Sequence, residues 1–491
     1  MSRLVVVSNR VAVPQGEGAM PAGGLAVAVD AALSGRRGLW FGWSGEVSEH
    51  DAPSVQIIDQ GAIVYALQGL AQADYEMYYN GFCNRVLWPL FHYRLDLMKF
   101  DEDQMEAYLR VNRMFAQRLA LLLEPDDVVW VHDYHLIPLA RTLRQQGVGN
   151  RIGFFLHIPC PSHDILAALP HHREVIGALA HYDLVGFQTE ADKRNFDRYL
   201  RHFGPGHPVR TDVFPVSIET REFSVQAEEA CHSDFVQEIR DSLNGGQLII
   251  GVDRLDYSKG IANRLEAFEW LLAHQPEWEG KVTYLQVAPK SRSEVPEYLE
   301  MDRFISMKMG QVNGRFGSPS WTPLRYVNRN MSREVLAGVY RASDVALVTP
   351  YRDGMNLVAK EFVASQDSSD PGVLVLSEFA GAAAELSSGA LIVNPYDINA
   401  IGRALDNALR MSRAERVRRF EKLLPILNFN DIEAWSARFL KALDGGGTQG
   451  GVIALHGDRK PGGAITPRFA YEPPLQPRRA AGQPGLCAET E

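Results

Sequence analysis

Cysteine is scarce: the 491 residues contain four, Cys83, Cys160, Cys231 and Cys487. Their spacing offers neither a CxxC pair nor a zinc-ligand set, and a reducing compartment fits best. No stretch approaches the roughly 18 consecutive apolar residues that a membrane span needs. Positive charge is also in short supply. With 60 acidic against 50 basic residues the net charge is −10, so no bulk field is available for nucleic acid or an anionic membrane, and any phosphate site has to be local. Met1-Ser2-Arg3 leads directly into Leu4-Val5-Val6-Val7 without a signal-peptide cleavage pattern, and a cytoplasmic protein is expected. Neither a solenoid repeat nor a GxGxxG turn is present, which argues against a repeat array and a Rossmann dehydrogenase.

What is present describes a large α/β protein. Hydrophobic residues make up 46% and charged residues 22%, a balance that buries large cores, and the length suggests two compact units. Strand-length apolar runs fall at Leu4–Val7, Val128–Val131, Gly153–Leu156, Leu184–Phe187 and Val213–Phe214, then at Leu248–Val252, Val282–Val287, Val345–Val348, Val373–Leu376 and Leu391–Val393. Many lead through turn residues into helix-period segments, the pattern of parallel sheets in two doubly wound units. Residues 220–245 are polar and acidic and end in Asn244-Gly245-Gly246, marking a boundary between an N-terminal unit, 1–222, and a second unit, 223–430. From 445 onward the chain is rich in Gly, Pro and Arg and reads as a disordered tail. A cleft between the two units is the expected ligand site.

Chemistry-bearing residues gather where strands end, which is where ligands bind in open α/β sheets. Ser8-Asn9-Arg10 follows the first strand and Gly23-Gly24 precedes a helix, an arrangement able to cradle a diphosphate or to serve as a tight turn with a surface arginine. Arg254 and Lys259, in Gly251 to Gly260, can converge on a diphosphate, or each can pair structurally with Asp253 or Asp256. The segment Pro350 to Glu361 repeats the strand–glycine–helix design: its opening amides can hold an anion, Asp353 can accept from hydroxyls and Glu361 can take a ribose diol, or Asp353 can be a helix cap. His132, Asp133 and His135 close one strand and His157 the next, suiting hydroxyl recognition and proton handling. An extended His-Asp-His stretch sends alternate side chains to opposite faces, which disfavours a metal site. Tyr78-Tyr79 and Trp88 to Arg94 supply aromatic faces, with Phe91 and Tyr93 read as packing groups. Arg292 offers a second phosphate contact or a surface cation.

Together these motifs resemble the trehalose-6-phosphate synthases, retaining glycosyltransferases of the GT-B fold with two Rossmann-like domains. The resemblance runs through residues 1–440 and includes Val7-Ser8-Asn9-Arg10, Trp40-Phe41-Gly42-Trp43-Ser44-Gly45, Trp130 to Leu136, Phe155 to Pro159, Arg254 to Gly260 and Arg352 to Val358. It implies that Arg10, Tyr79, Trp88, Asp133 and Arg292 hold a glucose 6-phosphate acceptor. It further implies that Gly23, Gly24, His157, Arg254, Lys259, Met331, Asp353, Gly354, Met355, Asn356, Leu357, Val358, Ala359, Lys360 and Glu361 hold a nucleotide-glucose donor, with Asp133, His157, Arg254, Lys259 and Asp353 catalytic. Trp88 and Ile158 match positions linked to the choice of acceptor anomer. The implied donor is UDP-glucose, with ADP- or GDP-glucose as alternatives; no metal and no cofactor are implied. A helix over 431–444 would cross back to the first domain, the enzyme would be a homo-oligomer, and a separate phosphatase would release trehalose. Cys160 departs from the larger apolar residue common in the turn after Ile158. A glucosylglycerol-phosphate synthase-like transferase and a non-catalytic sugar-phosphate sensor are the competing readings; the retained donor-side groups weigh against the sensor.

Overall fold

The structure, a computed structural model, describes residues 2–14, 24–50, 54–204, 206, 208–290 and 296–445. Among these residues the first sheet comprises β1 (Leu4–Arg10), β2 (Gly38–Ser48), β3 (Gln56–Gln60), β4 (Ile63–Ala71), β5 (Val128–His132), β6 (Arg151–Phe155), β7 (Leu184–Phe187) and β8 (Thr211–Val213). Its order is β3-β4-β2-β1-β5-β6-β7-β8, with β3 antiparallel to β4 and the other pairings parallel. The second sheet comprises β9 (Gln247–Val252), β10 (Val282–Val287), β11 (Leu324–Val327), β12 (Val345–Val348), β13 (Val373–Ser377) and β14 (Leu391–Val393). Its order is β11-β10-β9-β12-β13-β14, parallel throughout.

Helices cover both faces of each sheet, so central strands are buried on both sides and read in the sequence as unbroken apolar runs. β2, β3, β4 and β11 lie outside those runs, three of them for evident physical reasons. β3 is an edge strand with mostly exposed side chains, β2 is interrupted by Gly38, Gly42 and Gly45, and Arg325 breaks the short β11. Strand order reverses between β1 and β5 and again between β9 and β12, and at each reversal the connections diverge to opposite faces and open a crevice at the carboxyl ends of the strands.

The helix Ile432–Leu443 starts at Asp431, whose carboxylate accepts from the Ala434 amide at 2.8 Å. It docks on the first sheet, not the second. Trp435 and Phe439 stack against Trp130, with ring centroids 4.8 and 4.4 Å away, and Phe439 also meets Phe214 at 5.1 Å. A Cβ on Gly153 of β6 or on Gly186 of β7 would come within 2.8 Å of the Phe439 ring, so the two bare backbone positions form its seat. Arg210 donates to the Ala442 carbonyl at 2.5 Å and closes the helix end onto the segment before β8.

Among the described residues no helix is long and apolar enough to cross a membrane. The expected disordered tail, beyond Gly445, lies outside the described residues, as do Gly23 and Arg292.

Phe439 is fully buried, and Phe439→Ala is expected to lower stability by about 3–5 kcal/mol through lost burial and the cavity left behind. Urea unfolding measures this; a loss under about 1 kcal/mol would show that the helix is not held by that seat.

Candidate active site

At the carboxyl edge of the first sheet the chain leaves β5 through Asp133, which takes φ 74°, a left-handed conformation unusual for a residue other than glycine. A short 3-10 turn, Tyr134–Leu136, follows, so the His-Asp-His stretch is not extended as its sequence suggested. The turn leaves His132 fully buried, while the Asp133 carboxylate accepts from the His157 amide at 3.3 Å. His132 Nδ1 lies 3.0 Å from His157 Nε2. Burial pushes His132 well below the usual imidazole range and His157 down to about 3, so both rings are neutral. Among the described residues no group of three or more His, Cys, Asp or Glu side chains is arranged to hold a metal ion.

Arg10 ends β1 exposed, with its guanidinium 5.7 Å from the Trp43 ring centroid. Tyr79 lies between Trp43, at 5.6 Å, and His135, on which it stacks at 6.0 Å. It is carried by the π-helix Tyr75–Leu87, a winding that recurs at functional sites. Trp88 is buried next to Tyr134, its ring 5.8 Å away, and its indole N–H reaches Asp256 of the second unit at 3.4 Å. Ile158 is buried in the same core cluster as Trp88. Phe91 is buried as expected, whereas Tyr93 is only partly buried and carries Arg352 of the second unit 4.0 Å above its ring.

The facing edge belongs to the second sheet. After β9 the chain forms residues 253–260, and Arg264 fixes that loop from beneath. Its fully buried guanidinium donates to Asp253 at 2.6 Å, to the Lys259 carbonyl at 2.8 Å and to the Thr349 hydroxyl at 3.1 Å. Asp253 is thereby occupied, and Asp256 accepts from Trp88, from the Ser258 amide at 2.9 Å and from Tyr298 at 3.0 Å. Asp253 is committed to the Arg264 guanidinium, and Lys259 acts on it through space. Arg254 is exposed, 5.8 Å over the Trp88 ring. Lys259 reaches Asp353 instead, at 2.5 Å.

Asp353 also accepts from the Asn356 side chain at 3.0 Å. It is not the helix cap: Asn356, at φ 75°, is the N-cap of the helix Leu357–Ser365, and no side chain caps that end. The opening amides of Leu357, Val358 and Ala359 therefore present the positive end of a nine-residue helix. Met355 is buried in the turn, its carbonyl accepting from the Ala382 amide at 2.8 Å. Met331 packs half-buried on the same core as Leu357 and Val358. Glu361 is bonded by the Tyr340 hydroxyl at 3.4 Å; burial raises its carboxyl and Arg333 opposes the rise. The Lys360 side chain differs from the sequence reading. It is fully buried and turned away, donating to the Val216 carbonyl at 2.8 Å and to Glu385 at 2.6 Å, so it can offer a donor only its backbone. Gly24 opens the helix Gly24–Leu33.

The two edges touch. Gly354 lies so close to the peptide after His157 that an added Cβ would stand 1.9 Å from the His157 carbonyl oxygen. His157, Asp133 and Trp88 are thus brought to the seam with Asp353, Lys259 and Arg254, with Arg10 and Tyr79 one strand further along. Three contributors were not evident in the sequence: His132 as partner of His157, Asp256 as the tie to Trp88, and Arg264. Arg264 carried a signal as a lone charge on the apolar face formed by Ile261, Leu265 and Phe268; His132 and Asp256 stood in local motifs that did not show these long-range partners.

Comparison with known proteins agrees with this geometry. The model of glycosyltransferase family 20 matches residues 2–445. A trehalose-6-phosphate synthase of Sinorhizobium fredii is 52% identical over 457 residues, which cover 90% of this chain and 98% of that protein. The crystal structure of an alpha,alpha-trehalose-phosphate synthase (UDP-forming) from Burkholderia vietnamiensis is 48% identical, with a TM-score of 0.88 over 91% of this chain and 99% of that one. A second such synthase, from Burkholderia xenovorans in complex with glucose-6-phosphate, is 45% identical, with a TM-score of 0.87 over 90% of this chain and 100% of that one.

The neutral histidines have a stability consequence. His157 is held at about 3 and takes up a proton near pH 6.5 once unfolded. Its contribution is complete above about pH 6.5 and is lost as pH falls toward its folded value, by up to about 1.4 kcal/mol per pH unit. Asp192, lifted by burial to about 6, acts in the opposite sense, so the informative quantity is a difference. The change in urea stability between pH 7 and pH 5 is expected to be less unfavourable in His157→Gln than in the wild type; an identical change would mean that His157 titrates normally.

Proposed function

The chain belongs to glycosyltransferase family 20, and on that premise we propose that it transfers glucose, with retention, from UDP-glucose to glucose 6-phosphate, forming α,α-trehalose 6-phosphate and UDP. The observation that carries the reading is the seam itself: two cations and an uncapped helix end on the second sheet face Asp133 and His157 on the first, across a contact made at Gly354. Those are the groups a sugar diphosphate and a hydroxylated acceptor require. The relatives named above, a trehalose-6-phosphate synthase and two UDP-forming synthases, one of them with glucose-6-phosphate bound, supply the substrates of the proposal.

In this account Arg254, Lys259 and the amides opening the helix Leu357–Ser365 hold the diphosphate, and Glu361 takes the ribose. Lys259 exchanges its Asp353 partner for the phosphate, which frees Asp353 for the hydroxyls of the donor glucose beside His157. Arg10, Tyr79 and Trp88 bind the acceptor, with Arg292 as a further phosphate contact, and Asp133 orients its reacting end. The bond between the glucose anomeric carbon and the diphosphate oxygen breaks while the acceptor's anomeric oxygen attacks from the same face. The acceptor proton passes to the departing diphosphate oxygen, so configuration is retained without a covalent enzyme intermediate. Stabilising charge on the leaving group is the main catalytic contribution, and no metal or cofactor is assigned a step. The product keeps its phosphate, so a separate phosphatase would release trehalose. A cytoplasmic location and self-association belong to the same proposal.

Incubation with glucose 6-phosphate and, separately, UDP-, ADP- and GDP-glucose tests it, with nucleoside diphosphate release and NMR of the product as readouts. The expected result is an α,α-1,1-linked disaccharide phosphate from UDP-glucose, with kcat lowered about 10²–10³-fold in Arg254→Ala. Substrate binding without turnover would overturn the proposal in favour of a sensor.

A further inference from the structure

Behind His157 stands a second imidazole to which the proposed mechanism gives no part. His132 ends β5, is fully buried, and places its Nδ1 3.0 Å from His157 Nε2. Two nitrogens at that distance share one proton: one must donate and the other accept. Which one donates decides the tautomer of His157, and therefore whether the nitrogen of His157 not engaged by His132 carries a hydrogen.

The surroundings of the other His132 nitrogen decide it. Nε2 is buried without a protein partner, and the indole N–H groups of Trp130 and Trp435 are buried without one as well. Those rings lie 4.6 Å and 6.3 Å from the His132 ring. An indole nitrogen can only donate. A proton on His132 Nε2 would be a further buried donor without a partner, beside two indole rings whose N–H groups already lack one, and such a donor is costly. A bare Nε2 leaves only an unfilled acceptor, the less costly of the two, since orphaned buried N–H groups are the rarer kind. The proton of His132 therefore sits on Nδ1 and is donated to His157 Nε2. The His157 backbone is held separately, by its amide on the Asp133 carboxylate.

We infer that His132 is a positioning residue for glucosyl transfer: it holds His157 as the Nδ1–H tautomer, so that His157 presents an N–H donor to a hydroxyl of the donor sugar. The inference rests on the reading of the site as a glucosyltransferase centre. It also gives the docked helix Ile432–Leu443 a part in the chemistry, because Trp435, one wall of the His132 pocket, comes from that helix.

Two measurements on the full-length chain test it. In protein labelled with 15N-histidine, long-range proton–nitrogen spectra read the tautomer, with His157 assigned by the signal lost in His157→Gln. The expected result is protonation at Nδ1 and a bare Nε2; the opposite pattern overturns the inference. Kinetically, His132→Phe keeps an aromatic ring but has no donor, and kcat should fall about tenfold or more while the KM for glucose 6-phosphate stays within about twofold. His132→Asn, whose amide N–H falls near the Nδ1 position, should restore most of the rate, and His132→Gln, which reaches the Nε2 position, should not. Equal rates in His132→Asn and His132→Gln, or a wild-type rate in His132→Phe, contradict the inference. If His132→Phe does not fold, the Asn and Gln pair and the wild-type spectrum still decide. Absence of transfer by the wild type would defeat the functional reading alone, and the tautomer would then be judged by the spectrum.

Discussion

Everything chemical in this molecule depends on one close approach, that of Gly354 to the peptide after His157. The groups suited to a sugar diphosphate stand on one sheet and those suited to an acceptor on the other, and neither set is a site alone. A side chain at 354 would hold the edges apart, because even a Cβ would stand 1.9 Å from the His157 carbonyl oxygen. With glycine the strand ends meet, and the groups of the two edges stand close enough to act on one ligand.

The contact is supported by buried charges that are paired on all sides. Arg264 binds the end of β9, the turn at Lys259 and the residue after β12 into one unit, which positions Lys259 and Asp353 together. Lys360 does the same for the connections between the sheets. It ties the helix Leu357–Ser365 to the Val216 carbonyl, and its partner Glu385 accepts from Asn430 at 3.0 Å, just before the returning helix. Both chain crossings are therefore anchored to the helix whose opening amides face the seam. Burying such charges is favourable only when partners are complete, and removing one partner from a pair of this kind costs about 3–5 kcal/mol.

Much of this was legible in the sequence, and what was not has a physical reason. Strands such as Val282–Val287 and Val345–Val348 are buried on both faces and announce themselves as apolar runs, whereas edge strand β3 and glycine-broken β2 do not. Residues at strand ends, including Asp133, His157, Lys259 and Asp353, stand in recognisable local motifs, and the seam brings them together. Their pairings were not readable, because they link residues far apart in sequence: Lys259 with Asp353, Trp88 with Asp256, His132 with His157. Lys360 shows the limit from the other side. It lies within a motif of site residues, yet helical geometry turns its side chain into the core.

The central claim is that the site exists only while the two edges touch, and the glucosyl transfer rate of Gly354→Ala tests it most directly. Because the substitution leaves the cores of both sheets intact, the account predicts unchanged far-UV circular dichroism and a transfer rate lowered by at least about a hundredfold, the scale of a misplaced reacting geometry. A folded Gly354→Ala protein transferring glucose at the wild-type rate would contradict it.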